Sequence, residues 1–196
     1  MRDDLSKGSF MIIIRGKKRR FHEKLEPATK EQFDLLQKQI DSDPETARML
    51  ASPMNEIPQY FWLYYDETDY AGEHCLFDIL KFLAFSKRVK VTVLFSKAGK
   101  VFTGFLMYKE NGREISAMKM ASFIDDKRKA NSVLAADLVG FVEKEISKRT
   151  KIEWKTAKQN SANGQYEKLL NGKKFIWSRA DSKTGRMWVY TVTGRR

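Results

Sequence analysis

Residues 89–124 read VKVTVLFSKAGKVFTGFLMYKENGREISAMKMASFI, and this stretch decides the fold. Val89, Val91 and Val93 alternate with Lys90, Thr92 and Leu94, the period of two expected of a strand with one buried face. Lys97-Ala98-Gly99-Lys100 is expected to turn the chain, Val101 to Tyr108 to form a second strand, and Glu114 to Ile124 a third. Between the last two lies Asn111-Gly112, the dipeptide favoured where two consecutive residues take positive φ in a tight hairpin. Three strands joined by short turns form an antiparallel meander.

Working outward, a long helix is expected after Asp125-Asp126-Lys127-Arg128-Lys129. Val133, Leu134, Leu138, Phe141, Val142 and Ile146 make up its apolar side. A short strand at Lys151 to Thr156, a short helix at Ala162 to Leu170 and a hairpin of Lys173 to Ser178 with Arg186 to Val192 around Thr184-Gly185 complete the C-terminal part. Upstream, Ser9 to Arg15 carries an apolar run that reads as a buried strand, followed by a basic turn at Lys17-Lys18-Arg19-Arg20. Helix starts are marked by Thr29-Lys30-Glu31-Gln32 and by Asp43-Pro44-Glu45, the latter running through Leu50. Cys75 to Phe85 has the spacing of an amphipathic helix. The aromatic run Tyr60-Phe61-Trp62-Leu63-Tyr64-Tyr65, bounded by Pro53 and Pro58, reads as core, with a substrate-cleft lining as the other reading.

The chain has 196 residues, 42% hydrophobic and 12% aromatic, enough for a packed core. Cys75 is the single cysteine, so an intramolecular disulfide is excluded. With His22 and His74 the only histidines, no metal site is expected. No apolar stretch approaches membrane-spanning length, and a soluble cytoplasmic protein without a membrane partner is expected. The 37 basic residues outweigh 25 acidic ones to leave a formal charge of +12. A field of that sign attracts nucleic acid, an acidic protein face or a phosphorylated cofactor.

The order of strand, helices, three-stranded meander, long helix, strand, short helix and hairpin resembles the GNAT fold of acyl-CoA-dependent N-acyltransferases. The resemblance implies an α/β fold: a mixed central sheet with an antiparallel meander, a long cofactor-side helix and a C-terminal hairpin. It implies one domain over 1–196, with 1–88 an N-terminal strand and helices and 89–192 the most family-like part. Two motifs carry it further. Ala162-Asn163-Gly164-Gln165-Tyr166-Glu167-Lys168 is similar to the family's Asn, Ala, then Tyr-Glu-Lys, in which the Tyr serves as general acid toward the departing thiolate. By that resemblance Tyr166 is the catalytic acid, and a neutral phenol has the proton to donate. Gln159 stands where the family has Asn, with Asn160 beside it. Lys127-Arg128-Lys129-Ala130-Asn131-Ser132 occupies the place of the family's pyrophosphate loop, with Lys127, Ala130 and Ser132 at its motif positions and both glycines replaced. The strand holding Met118 and Met120 corresponds to the one whose main chain pairs with the pantetheine arm.

These correspondences imply acetyl-CoA or another acyl-CoA as cofactor, bound by Met118, Met120, Lys127 to Ser132, Gln159 and Asn160. The acceptor is an amine of unstated identity, on an acidic or nucleic-acid-associated substrate. Candidates for a general base are Glu114, Asp125, Asp126, Glu153 and His74. The alternative is a nucleic-acid-binding or nucleic-acid-modifying protein on the same fold without ordinary acetyl transfer. For it speak the missing glycines and the basic segments Lys17 to Arg20, Lys127 to Lys129, Lys148-Arg149 and Arg195-Arg196. A third reading makes the aromatic run an interface of a noncatalytic interaction domain. Oligomeric state is not legible.

Overall fold

A computed structural model describes residues 9–14, 17–53, 74–87, 90–123, 127–158, 160, 163–173 and 176–194, with backbone alone for 9–24, 117–119 and 127–134. Tyr60 to Tyr65, Asp125, Asp126, Gln159, Ala162 and the Arg195-Arg196 pair lie outside the described residues. Eight strands form one sheet in the order β1-β2-β3-β4-β5-β6-β8-β7. They are β1 (Ser9–Ile14), β2 (Lys17–Pro27), β3 (Thr92–Ala98), β4 (Val101–Asn111), β5 (Glu114–Ser122), β6 (Lys151–Ala157), β7 (Ile176–Asp181) and β8 (Met187–Thr193). All neighbours are antiparallel except β5 and β6, which run parallel. That one parallel pair requires a crossover, and α4 (Lys127–Glu145) supplies it.

The remaining helices are α1 (Lys30–Ser42), α2 (Pro44–Ala51), α3 (Leu76–Phe85) and α5 (Asn163–Asn171). Thr29 caps α1 by accepting from the Gln32 amide at 3.3 Å, and Asp43 caps α2 by accepting from the Thr46 amide at 3.2 Å. Both starts lie where the sequence places them.

Period-two alternation divides the core between the two faces of the sheet. Phe33 and Leu36 of α1, Met49 and Leu50 of α2 and Leu76 and Leu80 of α3 pack with Val93, Phe95, Phe105 and Met107 on one face. Their neighbours Leu106, Ile115, Ile152, Trp154, Tyr190 and Val192 meet Leu138, Val139 and Val142 of α4 and Tyr166 and Leu170 of α5 on the other. On this second face a buried polar cluster pins α4 to the meander. Ser96 donates to the Asp137 carboxylate and lies 3.0 Å from the Thr103 hydroxyl, while Ser122 donates to the Thr103 carbonyl at 3.1 Å.

Several local expectations change. Lys17 to Arg20 is not a turn but the start of β2, paired residue by residue with β1. Lys97 and Ala98 continue β3 instead of turning. Lys97 is tolerated inside because its ammonium lies 3.1 Å from both Glu26 and Gln32 and 4.8 Å from the centre of the Phe102 ring. The hairpin forms where expected but turns at Gly112-Arg113 rather than Asn111-Gly112: Asn111 still pairs with Glu114, and Gly112 takes φ 58°, where a Cβ is costly.

Candidate active site at the β5–β6 fork

β5 and β6 begin as paired neighbours and then part. Glu114 pairs with Lys151, Ile115 with Ile152 and, after an irregularity, Met118 with Trp154. No pair follows among the described residues, although β5 runs on to Ser122 and β6 to Ala157. Beyond that point each strand is bonded on its outer side, β5 to β4 and β6 to β8, and not to the other. A fork with free main-chain edges results.

Because the two strands are parallel, the elements that follow them start at the same end of the sheet. α4 starts five residues after the end of β5, and α5 six residues after the end of β6. Each helix directs its first-turn N–H groups and the positive end of its dipole there, although the Asn163 amide of α5 already donates to the Asn160 carbonyl at 3.1 Å. In open sheets this is the crevice beyond the carboxyl ends of parallel strands, where ligands bind. The expected phosphate-binding segment, Lys127 to Ser132, is the first turn and a half of α4 rather than a loop before it. Lys127 to Lys129 supply first-turn amides without intrahelical acceptors, whereas those of Ala130, Asn131 and Ser132 belong to the helical ladder.

Tyr166 projects from α5 into the core beside the fork, where it is only 3% exposed. Its ring meets Trp154 edge-on at 6.2 Å and Tyr190 at 6.0 Å. Its hydroxyl donates to the Met120 sulfur at 3.9 Å, spanning from the β6 side to β5. A thioether is a weak acceptor, so this hydroxyl is held without a strong partner. Burial drives the phenol well above its ordinary value, with the neighbouring Tyr190 adding to the effect. The group is a neutral proton donor across the physiological range.

Two asparagines shape the turn from β6 into α5. Asn160 donates from its side chain to the Thr156 hydroxyl at 3.0 Å and from its backbone to Ala157 at 3.0 Å. Asn163, buried at the first position of α5, donates from Nδ2 to the carbonyls of Ala157 at 3.0 Å and Lys158 at 3.1 Å. Its Oδ1 is buried without a hydrogen-bond partner. Asn163 fixes this turn, a role that the sequence reading, which quoted it only within the motif around Tyr166, did not give it. Its signal was an Asn at a helix start, a common cap type. Glu167, one residue after Tyr166, accepts from Tyr190 at 3.0 Å and from Arg179, tying α5 to β8 and β7. Burial, opposed by Arg179, leaves the Tyr190 phenol pushed up to about 12.

Of the described base candidates, Glu153 stands next to Trp154, at the point where the strands part. Glu114 lies at the opposite end of β5, where it pairs with Lys151 at 3.1 Å. His74 precedes α3, which packs against β3. The fork thus gathers Met118, Met120, Asn160, Tyr166 and the start of α4, and leaves Glu114 behind.

No protein-family profile and no curated protein matches the chain. Solved structures do. The spermidine N-acetyltransferase from Vibrio cholerae in complex with CoA and spermine superposes with a TM-score of 0.50 at 12% identity, over 87% of this chain and 95% of that one. An acetyltransferase from Thermus thermophilus gives 0.47 at 14% identity, over 86% and 95%. The N-acetyltransferase PseH from Campylobacter jejuni gives 0.43 at 9%, over 88% and 99%. Sheet order, forked parallel pair and superposition agree that the chain has the GNAT-type fold.

Proposed function

We propose that the chain transfers an acyl group, acetyl in the simplest case, from coenzyme A to an amine. The observation that carries the proposal is the β5–β6 fork with two helix N-termini at its open end and a buried phenol beside it. The residues present fit such a cofactor. First-turn amides of Lys127 to Lys129 suit the pyrophosphate, and the free main-chain edge of β5 near Met118 and Met120 suits an amide-bearing arm. The neighbour from Vibrio cholerae holds CoA together with spermine; the proposal extends the first of these to this chain and leaves the amine to be identified.

When bound, an acyl thioester supplies the electrophilic carbonyl and a thiolate leaving group. The chain's own contribution begins with orientation, since holding amine and carbonyl in line lowers the barrier before any proton moves. The amine nitrogen forms the new C–N bond as the C–S bond breaks. Tyr166 gives its phenolic proton to the departing sulfur and recovers one from the product side. A phenol raised by burial is a weak acid in water, but its acceptor here is a developing thiolate in the same dry setting. Among the candidate bases Glu153, beside Trp154 where the strands part, is the one we assign to take the amine's proton.

The test is thermal unfolding with increasing acetyl-CoA, using ATP as a polyanion control because the chain is so basic. A ligand present at about 100 times its Kd stabilises the folded state by about 2.7 kcal/mol. A saturable rise with acetyl-CoA that ATP does not reproduce supports the proposal, and Lys127→Ala with Lys129→Ala should weaken it. Equal shifts with both nucleotides, or no shift, would remove it. Once an acceptor amine is found, Tyr166→Phe should lower kcat by about 10² to 10⁴ with KM for acyl-CoA little changed.

A further inference from the structure

The hairpin of β1 and β2 reaches beyond the rest of the sheet. β3 ends at Ala98, which pairs with Glu23, so among the described residues positions 17–22 of β2 pair with β1 alone. From Glu23 to Lys17 the two-stranded ribbon extends about 20 Å past the end of β3. It projects from the end at which β5 and β6 part, because β3, β5 and β6 all run toward that end. An isolated two-stranded ribbon is marginally stable in water, so this projection calls for an occupant.

Its composition says which. Between Ser9 and His22 the chain carries Arg15, Lys17, Lys18, Arg19 and Arg20 and no acidic residue. The register sets Lys17 opposite Ile14, Lys18 opposite Ile13, Arg19 opposite Ile12 and Arg20 opposite Met11. Cross-strand partners share a face, so cationic positions occur on both faces of the ribbon and neither face is wholly apolar. A membrane-surface element needs one apolar face and does not have this pattern. A ribbon entering the major groove of a duplex, about 12 Å wide, meets phosphates along both walls, and cations on both faces suit that geometry. Lys127, Arg128 and Lys129 at the start of α4 add positive charge at the same end.

We infer that the β1–β2 ribbon is a docking arm for double-stranded DNA, whose phosphates are contacted by Lys17, Lys18, Arg19 and Arg20. The inference goes beyond acyl transfer and is tested without any acyl-CoA. The full chain is titrated against a labelled duplex of about 20 base pairs at several salt concentrations between about 50 and 200 mM. One variant carries Lys17→Gln, Lys18→Gln, Arg19→Gln and Arg20→Gln; another carries Lys90→Gln, Lys144→Gln, Lys148→Gln and Lys173→Gln at the opposite end of the sheet. Both have the same net charge, 12 − 4 = +8. The ribbon variant should lose about tenfold or more in affinity at the lower salt, and its log–log salt slope should fall by about 3 to 4. The opposite-end variant should stay close to the parent. A Lys18→Gln, Arg19→Gln double variant should lose about half as much slope, which keeps the test open if the quadruple variant unfolds. Equal losses in the two quadruple variants would overturn the inference in favour of bulk charge. So would binding to phosphatidylserine vesicles or to single-stranded RNA in preference to the duplex.

Discussion

Gly104 sits on β4 opposite Ser122 of β5, just where β5 runs on beyond its last pair with β6. A Cβ built at this position would stand 2.6 Å from the Ala121 carbonyl oxygen and 3.3 Å from the Ser122 Cα. Ordinary contact begins at 3.4 Å, so the strands would have to separate by 3.4 − 2.6 = 0.8 Å. The obstacle is backbone, which cannot rotate aside as a side chain does. Separation would also strain the 2.8 Å bond from the Phe123 amide to Thr103 and the 3.1 Å bond from Ser122 to the same carbonyl. Overpacking costs about 1 to 3 kcal/mol, and the smaller unfolded-state entropy of Ala returns about 0.4 to 1. Gly104→Ala should therefore destabilise the protein by about 1.3 kcal/mol, lowering Tm by roughly 3 to 5 °C for a domain of this size. The internal control is Gly140→Ala, in the middle of α4 on its exposed side with nothing within 4 Å of the added carbon. There the same change should stabilise by about 0.5 to 1 kcal/mol. Urea unfolding followed by far-UV circular dichroism measures both. If Gly104→Ala equals or exceeds the parent while Gly140→Ala behaves as stated, the close approach of β4 and β5 is wrong.

Asn163→Asp replaces the donor that holds the Ala157 and Lys158 carbonyls with an acceptor, in a buried place. It should cost about 2 to 4 kcal/mol, more than Asn163→Ala at about 1 to 3, and the ranking is read from urea midpoints. Alkaline pH should also weaken the fold. Tyr190 keeps its proton in the folded state to about 12, and Tyr166 is shifted in the same direction, while unfolded phenols ionise near 10. The unfolded chain then binds fewer protons, so stability is complete below pH 10 and falls as pH rises toward 12. Tyr190→Phe should flatten that decline; a decline of unchanged steepness in this variant would assign it to other groups.

The meander was legible because its determinants are local: alternating valines and an Asn-Gly signal, one residue ahead of the actual Gly112-Arg113 turn, within one 36-residue stretch. The helix caps at Thr29 and Asp43 were legible for the same reason. Lys17 to Arg20 was misread as a turn because four cations in a row look like solvated chain. Its strand character comes from β1 across the register, not from its own propensity. Lys97 likewise looked like a turn residue, and only Glu26 and Gln32, 71 and 65 residues away, make its burial tolerable. The fork itself could not be read from any window. It depends on where the pairing of β5 with β6 stops, and the two strands are separated by the whole of α4. Tyr166 was picked out by its motif, while its dry setting beside Met120 is a product of tertiary packing.

Trp154 makes the fork visible to light. It is the last β6 residue paired with β5, it is 2% exposed, and its ring stacks on Tyr190 at 5.2 Å with a 6° interplanar angle. Its indole N–H is buried without a hydrogen-bond partner. An indole in so dry and apolar a setting emits toward the blue, and a polar group entering between the strands would shift that emission toward the red. The chain therefore carries an intrinsic optical gauge of what occupies the gap, readable without a label or a known acceptor. The chain's other tryptophans, Trp62, Trp177 and Trp188, contribute a background that Trp→Phe replacement can subtract.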